Sequence, residues 1–441
     1  MAIMAQEVIP IKLAEWETHN PTSDQQLADV SLISNVATKR ELERLKESNI
    51  LEVLELRDGI SITSRSHVGR IKLGPLEITV YPKITGMPLL CLLRYAYGLR
   101  NLKLFSPVGY GAEVDMFQDL LISQLTSEAF ELVSRGLHKK YLSVNRELSS
   151  PKGRIDFQGI ARNGGVIEPE LPCYYNPRLE NCLPNQVLLG GLRLSERIAS
   201  RISLRTEVRQ VSRLLENNVE KIRLDQNILR RMDRETNRLV GTYLPAFTII
   251  KLLMNSEGIS LEKPDQVITL KGFMFDMNLF FQALILRFLK ENLEDYSVKD
   301  QFAIKGMMSY VPEYNPRRKI SPKPRPDYTI SKGSKLISML DAKYCDLSEK
   351  DLPVEWLYQL AIYALSQDFG GHATILYPTM NAEAKEARIQ ITDPIHGAYR
   401  AQVIMRPVNL LHLSELLSDQ SKTSAKKERV KYAFSLAFGT P

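Results

Sequence analysis

Ile337, Met339, Asp341 and Lys343 fall on one face of a stretch that otherwise reads as a β-strand, because side chains alternate along a strand with period two. Two apolar residues followed on the same face by an acid and a lysine make an unusual strand. A face turned toward a core should not end in charges unless they find a partner or an ion there. Upstream, Pro326-Asp327-Tyr328 opens a second strand, and Lys332-Gly333-Ser334 supplies a turn between the two. The hairpin so formed, Asp327 to Tyr344, brings Asp327 opposite Asp341.

The neighbouring elements narrow the reading. An apolar helix is expected over Phe273–Leu293, an irregular basic loop over Met307–Arg325, a helix over Val354–Gln367 and a strand over Ala373–Tyr377. Gln359 and Tyr363 stand one helical turn apart and share a face of the Val354–Gln367 helix. Taken alone, the D-x₁₃-DxK spacing also suits a surface hairpin with unrelated charges, and the Gln-Tyr pair suits an ordinary helix surface. Their common order favours a site. Mg²⁺ takes hard oxygen ligands and keeps several waters, so Asp327 and Asp341 would suffice to hold it. Lys343 would then point at the same metal-bound water, its ammonium pKa lowered by the ion, and could orient or deprotonate that water.

Composition sets outer limits. A chain of 441 residues exceeds one ordinary core, so two or three domains are expected, and 44% hydrophobic with 25% charged residues is normal for a soluble globular protein. No run approaches the roughly 18 to 20 apolar residues of a membrane span; the best, Tyr243–Met254, is interrupted by Pro245 and Lys251. Met1–Trp16 lacks the pattern of a secretory leader. Cys91, Cys173, Cys182 and Cys345 are scattered without a CxxC pair, which fits thiols in a reducing cytoplasm. A net charge of +7 suits a polyanionic partner without requiring one.

Along the chain, residues 1–88 read as a β-rich unit. A capping box at Thr38 and Glu41 starts one helix, followed by strands over Leu51–Leu56, Ile60–Ser64, Gly69–Leu73 and Leu76–Tyr81. Residues 89–257 read as helical. A helix is expected over Val114–Arg135, closed by Gly136, and two antiparallel helices over Gln186–Thr236 with a break near Asn217. Between them a strand-like excursion departs, at about 137–184. Residues 258–417 carry the charged hairpin, and 418–441 form a tail whose polar start, Ser418–Arg429, reads as a mobile connection.

These features together resemble the PD-(D/E)xK nuclease superfamily in its RecB-like branch with a Q-x₃-Y helix. Within it the chain is similar to the McrC family, the nuclease subunits of McrBC modification-dependent restriction systems. Beyond Asp327, Asp341-Ala342-Lys343-Tyr344 and Tyr358–Tyr363, the likeness rests on further stretches. They are Leu93-Arg94-Tyr95-Ala96-Tyr97-Gly98, Arg135-Gly136-Leu137, Lys152-Gly153-Arg154-Ile155-Asp156-Phe157, Asn185, and Asp276-Met277-Asn278 before the first nuclease helix. Many relatives carry a glutamate on that helix where this chain has Gln282, which leaves one or two metals open.

The resemblance implies an α+β multidomain protein with a C-terminal α/β nuclease domain. It implies Mg²⁺-dependent cleavage of double-stranded DNA containing modified cytosine. It also implies docking on a McrB-like AAA+ GTPase hexamer, with the 137–184 excursion as the finger that stimulates hydrolysis. The chain has no GxxxxGK[ST] loop and so is not the nucleotide-hydrolysing subunit. Arg317, Arg318, Lys319, Lys323 and Arg325 precede Asp327 and could hold the DNA backbone. Arginines at every fourth position from Arg193 to Arg213 are expected to be a solvated face paired with Glu196 and Glu207. The rival readings are a stand-alone RecB-like nuclease and a non-catalytic activator of an AAA+ motor.

Overall fold

The computed structural model describes residues 8–32, 36–100, 102, 117–141, 143–162, 164, 169–235, 240–257, 260–263, 266–269, 272–304, 306–367, 370–418 and 423–439. It is a mixed α+β chain with several separate sheets. Two compact units are present, one built mainly from Met1–Leu99 and Ser256–Pro441, the other mainly from Gln118–Asn255. Among the described residues no helix is long and apolar enough to cross a membrane.

The first unit joins the two ends of the sequence. The expected strands form at Leu51–Leu56, Gly59–Ser64, His67–Leu73 and Leu76–Tyr81. Ile9–Ala14 adds to Leu76–Tyr81 in parallel, and Gly272–Asp276 adds to His67–Leu73 in antiparallel register. The division expected at residue 88 is therefore redrawn, since a strand from beyond residue 257 completes the N-terminal sheet. Gly69 makes that pairing possible: at φ +135°, a Cβ there would lie 2.0 Å from the Phe273 carbonyl oxygen. The first helix begins at Val36, so Thr38 lies inside it and does not cap it.

The expected helix over Phe273–Leu293 is divided. Gly272–Asp276 is a buried strand, and the helix starts at Met277 and runs to Asn292. Asp276 caps it, its carboxylate accepting from the backbone N–H of Asn278 at 2.8 Å and of Leu279 at 3.3 Å. A six-stranded sheet follows, in the order Ser297–Asp300, Tyr328–Lys332, Lys335–Ala342, Gly371–Thr379, Tyr399–Asn409, Ala387–Thr392. Lys335–Ala342 sits inside it, antiparallel to Tyr328–Lys332 and parallel to Gly371–Thr379. The helix Val354–Leu365 packs on one face, with Leu360, Tyr363 and Ala364 against Met339, Ala373, Ile375 and Val403. The helix Met277–Asn292 packs against the same sheet through the Lys335–Ala342 strand.

The tail is also corrected. Residues 419–422 lie outside the described residues, but Thr423–Phe438 is a helix, not a mobile connection. Tyr432 packs edge-on to Phe288, and Phe434 and Phe438 pack on Tyr296, while Leu436 is 1% exposed.

In the second unit, the helix Phe117–Arg135 ends before Gly136 at φ +93°; the expected start at residues 114–116 lies outside the described residues. The span read as two helices holds three: Leu183–Ile198, Ile202–Glu216 and Gln226–Glu235. The unforeseen break is set by tertiary contacts. Asp119 accepts from the Ser200 backbone N–H at 2.9 Å, and Gln118 donates to the Ile198 carbonyl at 2.6 Å. The arginine stripe is thereby split between helices, with Arg209 paired to Glu196 and Arg193 to Glu216, both at 2.7 Å.

The excursion contains a three-stranded sheet of Val144–Leu148, Leu171–Tyr175 and Arg154–Ile155, and a short pair, Lys140–Tyr141 with Arg178–Leu179. Its root is tied by Asn185, fully buried, whose amide donates to the carbonyls of His138 and Glu180 at 2.8 and 2.7 Å.

Candidate active site

Antiparallel pairing of Tyr328 with Leu340 sets the two aspartates side by side at neighbouring interior strands of the sheet. The Asp327 backbone N–H donates to Asp341 Oδ1 at 3.1 Å, and the Ala342 N–H donates to Asp327 Oδ2 at 2.9 Å. Each carboxylate is thus fixed by the other strand's backbone. Both are buried, 6% and 2% exposed. Lys343 lies just past the strand, its backbone N–H on the Leu376 carbonyl, and its Nζ stands 3.4 Å from Asp341 and 3.9 Å from Asp327.

Two side-chain amides complete the surroundings of Asp327. Gln282 Nε2 donates to Oδ2 at 3.1 Å and Gln301 Nε2 to Oδ1 at 2.9 Å. Gln282, a missing carboxylate by the family pattern, is a donor in the fold. Nothing local marks Gln301, which reaches the site because Ser297–Asp300 pairs with Tyr328–Lys332. Burial and, after it, the neighbouring Asp341 charge push the Asp327 carboxyl up to about 6; Lys343, the Ala342 N–H and Gln301 oppose the rise.

Gln359 and Tyr363 meet, Gln359 Nε2 donating to the Tyr363 hydroxyl at 2.9 Å. Burial holds that hydroxyl above its ordinary range, and the charges of Asp341 and Asp327 act in the same direction. Arg317, Arg318, Lys319, Lys323 and Arg325 are all exposed on the loop leading into Asp327. That loop is pinned near its end, where Ile304 N–H donates to the Pro324 carbonyl at 2.9 Å and Gln301 N–H to the Asp327 carbonyl at 3.0 Å. Among the described residues the cation paired with Asp327 and Asp341 is Lys343, and none of these five joins it.

Among the described residues no three or more His, Cys, Asp or Glu side chains gather around a common point. A cation at this site would rest on Asp327 and Asp341. Two hard oxygen donors fit Mg²⁺, which fills its remaining positions with water.

Fold and site together define a multidomain α+β protein with a paired-carboxylate and lysine centre on a mixed sheet. The family model described as "McrBC 5-methylcytosine restriction system component" matches residues 62–378, and the chain belongs to that family. A chain from the half-complex of the tetradecameric assembly of Thermococcus gammatolerans McrB AAA+ hexamers with bound McrC is similar in fold. Its TM-score is 0.62 at 17% identity, with 97% of this chain and 100% of that one covered. A chain of the Thermococcus gammatolerans McrBC complex gives a TM-score of 0.45 at 19% identity, covering 64% of this chain and 88% of that one. No curated protein matches.

Proposed function

We propose that this chain is the DNA-cleaving subunit of an McrBC-type restriction complex, hydrolysing phosphodiester bonds of double-stranded DNA that carries modified cytosine. The observation that carries the reading is the convergence of Lys343 Nζ on two buried carboxylates, 3.4 and 3.9 Å away. Asp327 and Asp341 would hold Mg²⁺, whose chemistry is to acidify a bound water and offset charge on the reacting phosphate. Lys343 would orient the attacking water or take its proton. Tyr363 packs in the cluster with Met339 of the Asp341 strand, Gln359 donates to its hydroxyl, and the pair would support the substrate side. Arg317, Arg318, Lys319, Lys323 and Arg325 would bind the DNA backbone with salt-dependent strength.

Family membership, and a fold shared with a chain from an assembly of McrB AAA+ hexamers with bound McrC, support a partner of the same kind: a McrB-like GTPase hexamer. The 137–184 excursion, tied at its root by Asn185, is the segment we assign to that ring. The test mixes the chain with its AAA+ partner, GTP, Mg²⁺ and methylated plasmid. Asp341→Ala and Lys343→Ala should abolish cleavage while leaving folding and partner GTP hydrolysis intact. Wild-type cleavage by either variant would defeat the assignment. A second reading, a non-catalytic activator, draws on Gln282, an amide on the carboxylate pair; GTPase stimulation without any cleavage by the unaltered chain would favour it.

A further inference from the structure

The residue after Lys343 is held on every polar group by parts of the chain distant in sequence. The Tyr344 N–H donates to Asn278 Oδ1 at 2.9 Å. Its carbonyl accepts from the Trp16 indole N–H at 2.7 Å. Its hydroxyl donates to Glu15 Oε1 at 3.3 Å, an oxygen that also takes the Lys83 backbone N–H at 2.9 Å. Tyr344 is 3% exposed and packs edge-on against Phe281 of the Gln282 helix.

The holders are themselves supported. Asn278 Nδ2 donates to Ser66 Oγ at 2.7 Å, and the Met277 N–H donates to the Ser66 carbonyl at 2.9 Å. Trp16 adopts φ +60°, a left-handed conformation that a bulky residue rarely takes and that persists only where its surroundings enforce it. Lys350 Nζ donates to the Trp16 carbonyl at 2.5 Å, and the Arg65 guanidinium lies 5.9 Å from the indole centroid. Ser66, Trp16 and Glu15 all belong to the N-terminal region whose role the sequence left open.

We infer that this region acts as a clamp on Tyr344 and so positions Lys343 against Asp327 and Asp341, with Trp16 and Asn278 as positioning residues. The inference rests on the nuclease reading above. Its physical basis is short: Lys343 has its own N–H on Leu376, and the next residue is fixed at N, O and hydroxyl, so little freedom is left to the lysine's Cα. A lysine displaced by an ångström loses most of its effect on an attacking water.

Trp16→Phe keeps an aromatic ring and removes the indole donor together with the pyrrole ring that carries it. Asn278→Leu removes the acceptor for Tyr344 N–H, while Asn278→Asp keeps it, and the Ser66 hydroxyl can donate to the new carboxylate. In the full complex with partner, GTP, Mg²⁺ and methylated plasmid, Trp16→Phe and Asn278→Leu should lower kcat at least about tenfold with KM for DNA within about twofold, and Asn278→Asp should recover most of the loss. Should Trp16→Phe fail to fold, Ser66→Ala, which loosens Asn278 alone, should give the same pattern at about threefold. A second readout needs no cleavage: the ¹³C signal of reductively methylated Lys343, assigned by its loss in Lys343→Arg, should shift in both Trp16→Phe and Asn278→Leu. Unchanged kcat per folded molecule together with an unmoved Lys343 signal would overturn the clamp. A wild-type chain that never cleaves would instead remove the nuclease reading, and the Lys343 signal would still decide whether the clamp exists.

Discussion

Asp327 should destabilise the metal-free protein, and Asp327→Asn should relieve it. In the folded chain the carboxyl is pushed from 3.8 up to about 6, chiefly by burial and then by Asp341. At about 1.4 kcal/mol per unit, ionising it in place costs roughly 3 kcal/mol relative to the unfolded chain. The direction follows from proton counting. Between about pH 4 and pH 6 the folded chain holds a proton that the unfolded chain has released, so stability falls as pH rises through that window, and the whole cost is present above it. Asparagine removes the charge and keeps an oxygen for the Ala342 N–H and Gln282. Gln301, exposed, can turn its amide to face the new NH₂. Lys343 loses one of two carboxylate partners, which offsets part of the gain. The net expectation is about 1 to 3 kcal/mol of added stability at pH 7.5 in EDTA, and none at pH 4. Urea unfolding at the two pH values measures it. Adding Mg²⁺ should then stabilise the wild type but not the variant, because only binding to the native state shifts the transition. An Asn variant less stable than wild type at pH 7.5 in EDTA, or a gain that is the same at pH 4, would refute the reasoning.

Asn185→Ala should cost about 1 to 3 kcal/mol, since the His138 and Glu180 carbonyls and the Tyr243 hydroxyl each lose one hydrogen bond and keep that from Cys182 Sγ, the Cys182 N–H and the His138 N–H respectively. Limited proteolysis should then cut faster within the excursion, and an unchanged cleavage rate there would show that its root is held by other contacts. Leu436→Ala, on the C-terminal helix, should cost about 2 to 5 kcal/mol by thermal unfolding, because the side chain is 1% exposed. A loss near zero would mean that the Thr423–Phe438 helix adds nothing to the unit it packs on.

What the sequence disclosed depended on the range of the contacts. Leu51–Leu56 and Leu76–Tyr81 were legible to the residue, because turn residues bound them and each has a hairpin partner next in the chain. The Asp327–Asp341 pairing was legible only in part: the turn at Gly333, φ +61°, closes the hairpin, but a bulge between Ile330 and Ser331 shifts the register by one residue and sets Asp327 beside Asp341, and nothing in the local sequence marks that bulge. Gly272–Asp276 was not, since an apolar strand running into an apolar helix shows no change of period, and only the capping Asp276 marked the junction. Its partner, His67–Leu73, is too distant in sequence to leave a local sign. The break at Ala199 carries neither Gly nor Pro and is written in Asp119 and Gln118. In the tail, the polar composition outweighed a readable helical spacing of Tyr432, Ala433, Leu436 and Ala437.

The same contrast explains Gln282. Read as a sequence, it is a carboxylate position without its charge. In the fold, Asp327 already bears the cost of burial beside Asp341, and the groups that offset it are neutral or cationic donors: the Ala342 N–H, Gln301, Gln282 and Lys343. A glutamate at 282 would set a third acid within hydrogen-bond reach of Asp327 and raise that carboxyl further unless another cation joined it. With an amide in that place Asp327 can ionise on the strength of one bound ion and one lysine, so Gln282→Glu should raise the pH at which the site first takes up Mg²⁺. If uptake instead begins at lower pH in Gln282→Glu, the amide is not what reconciles the two charges, and the cost must be met by groups beyond those four.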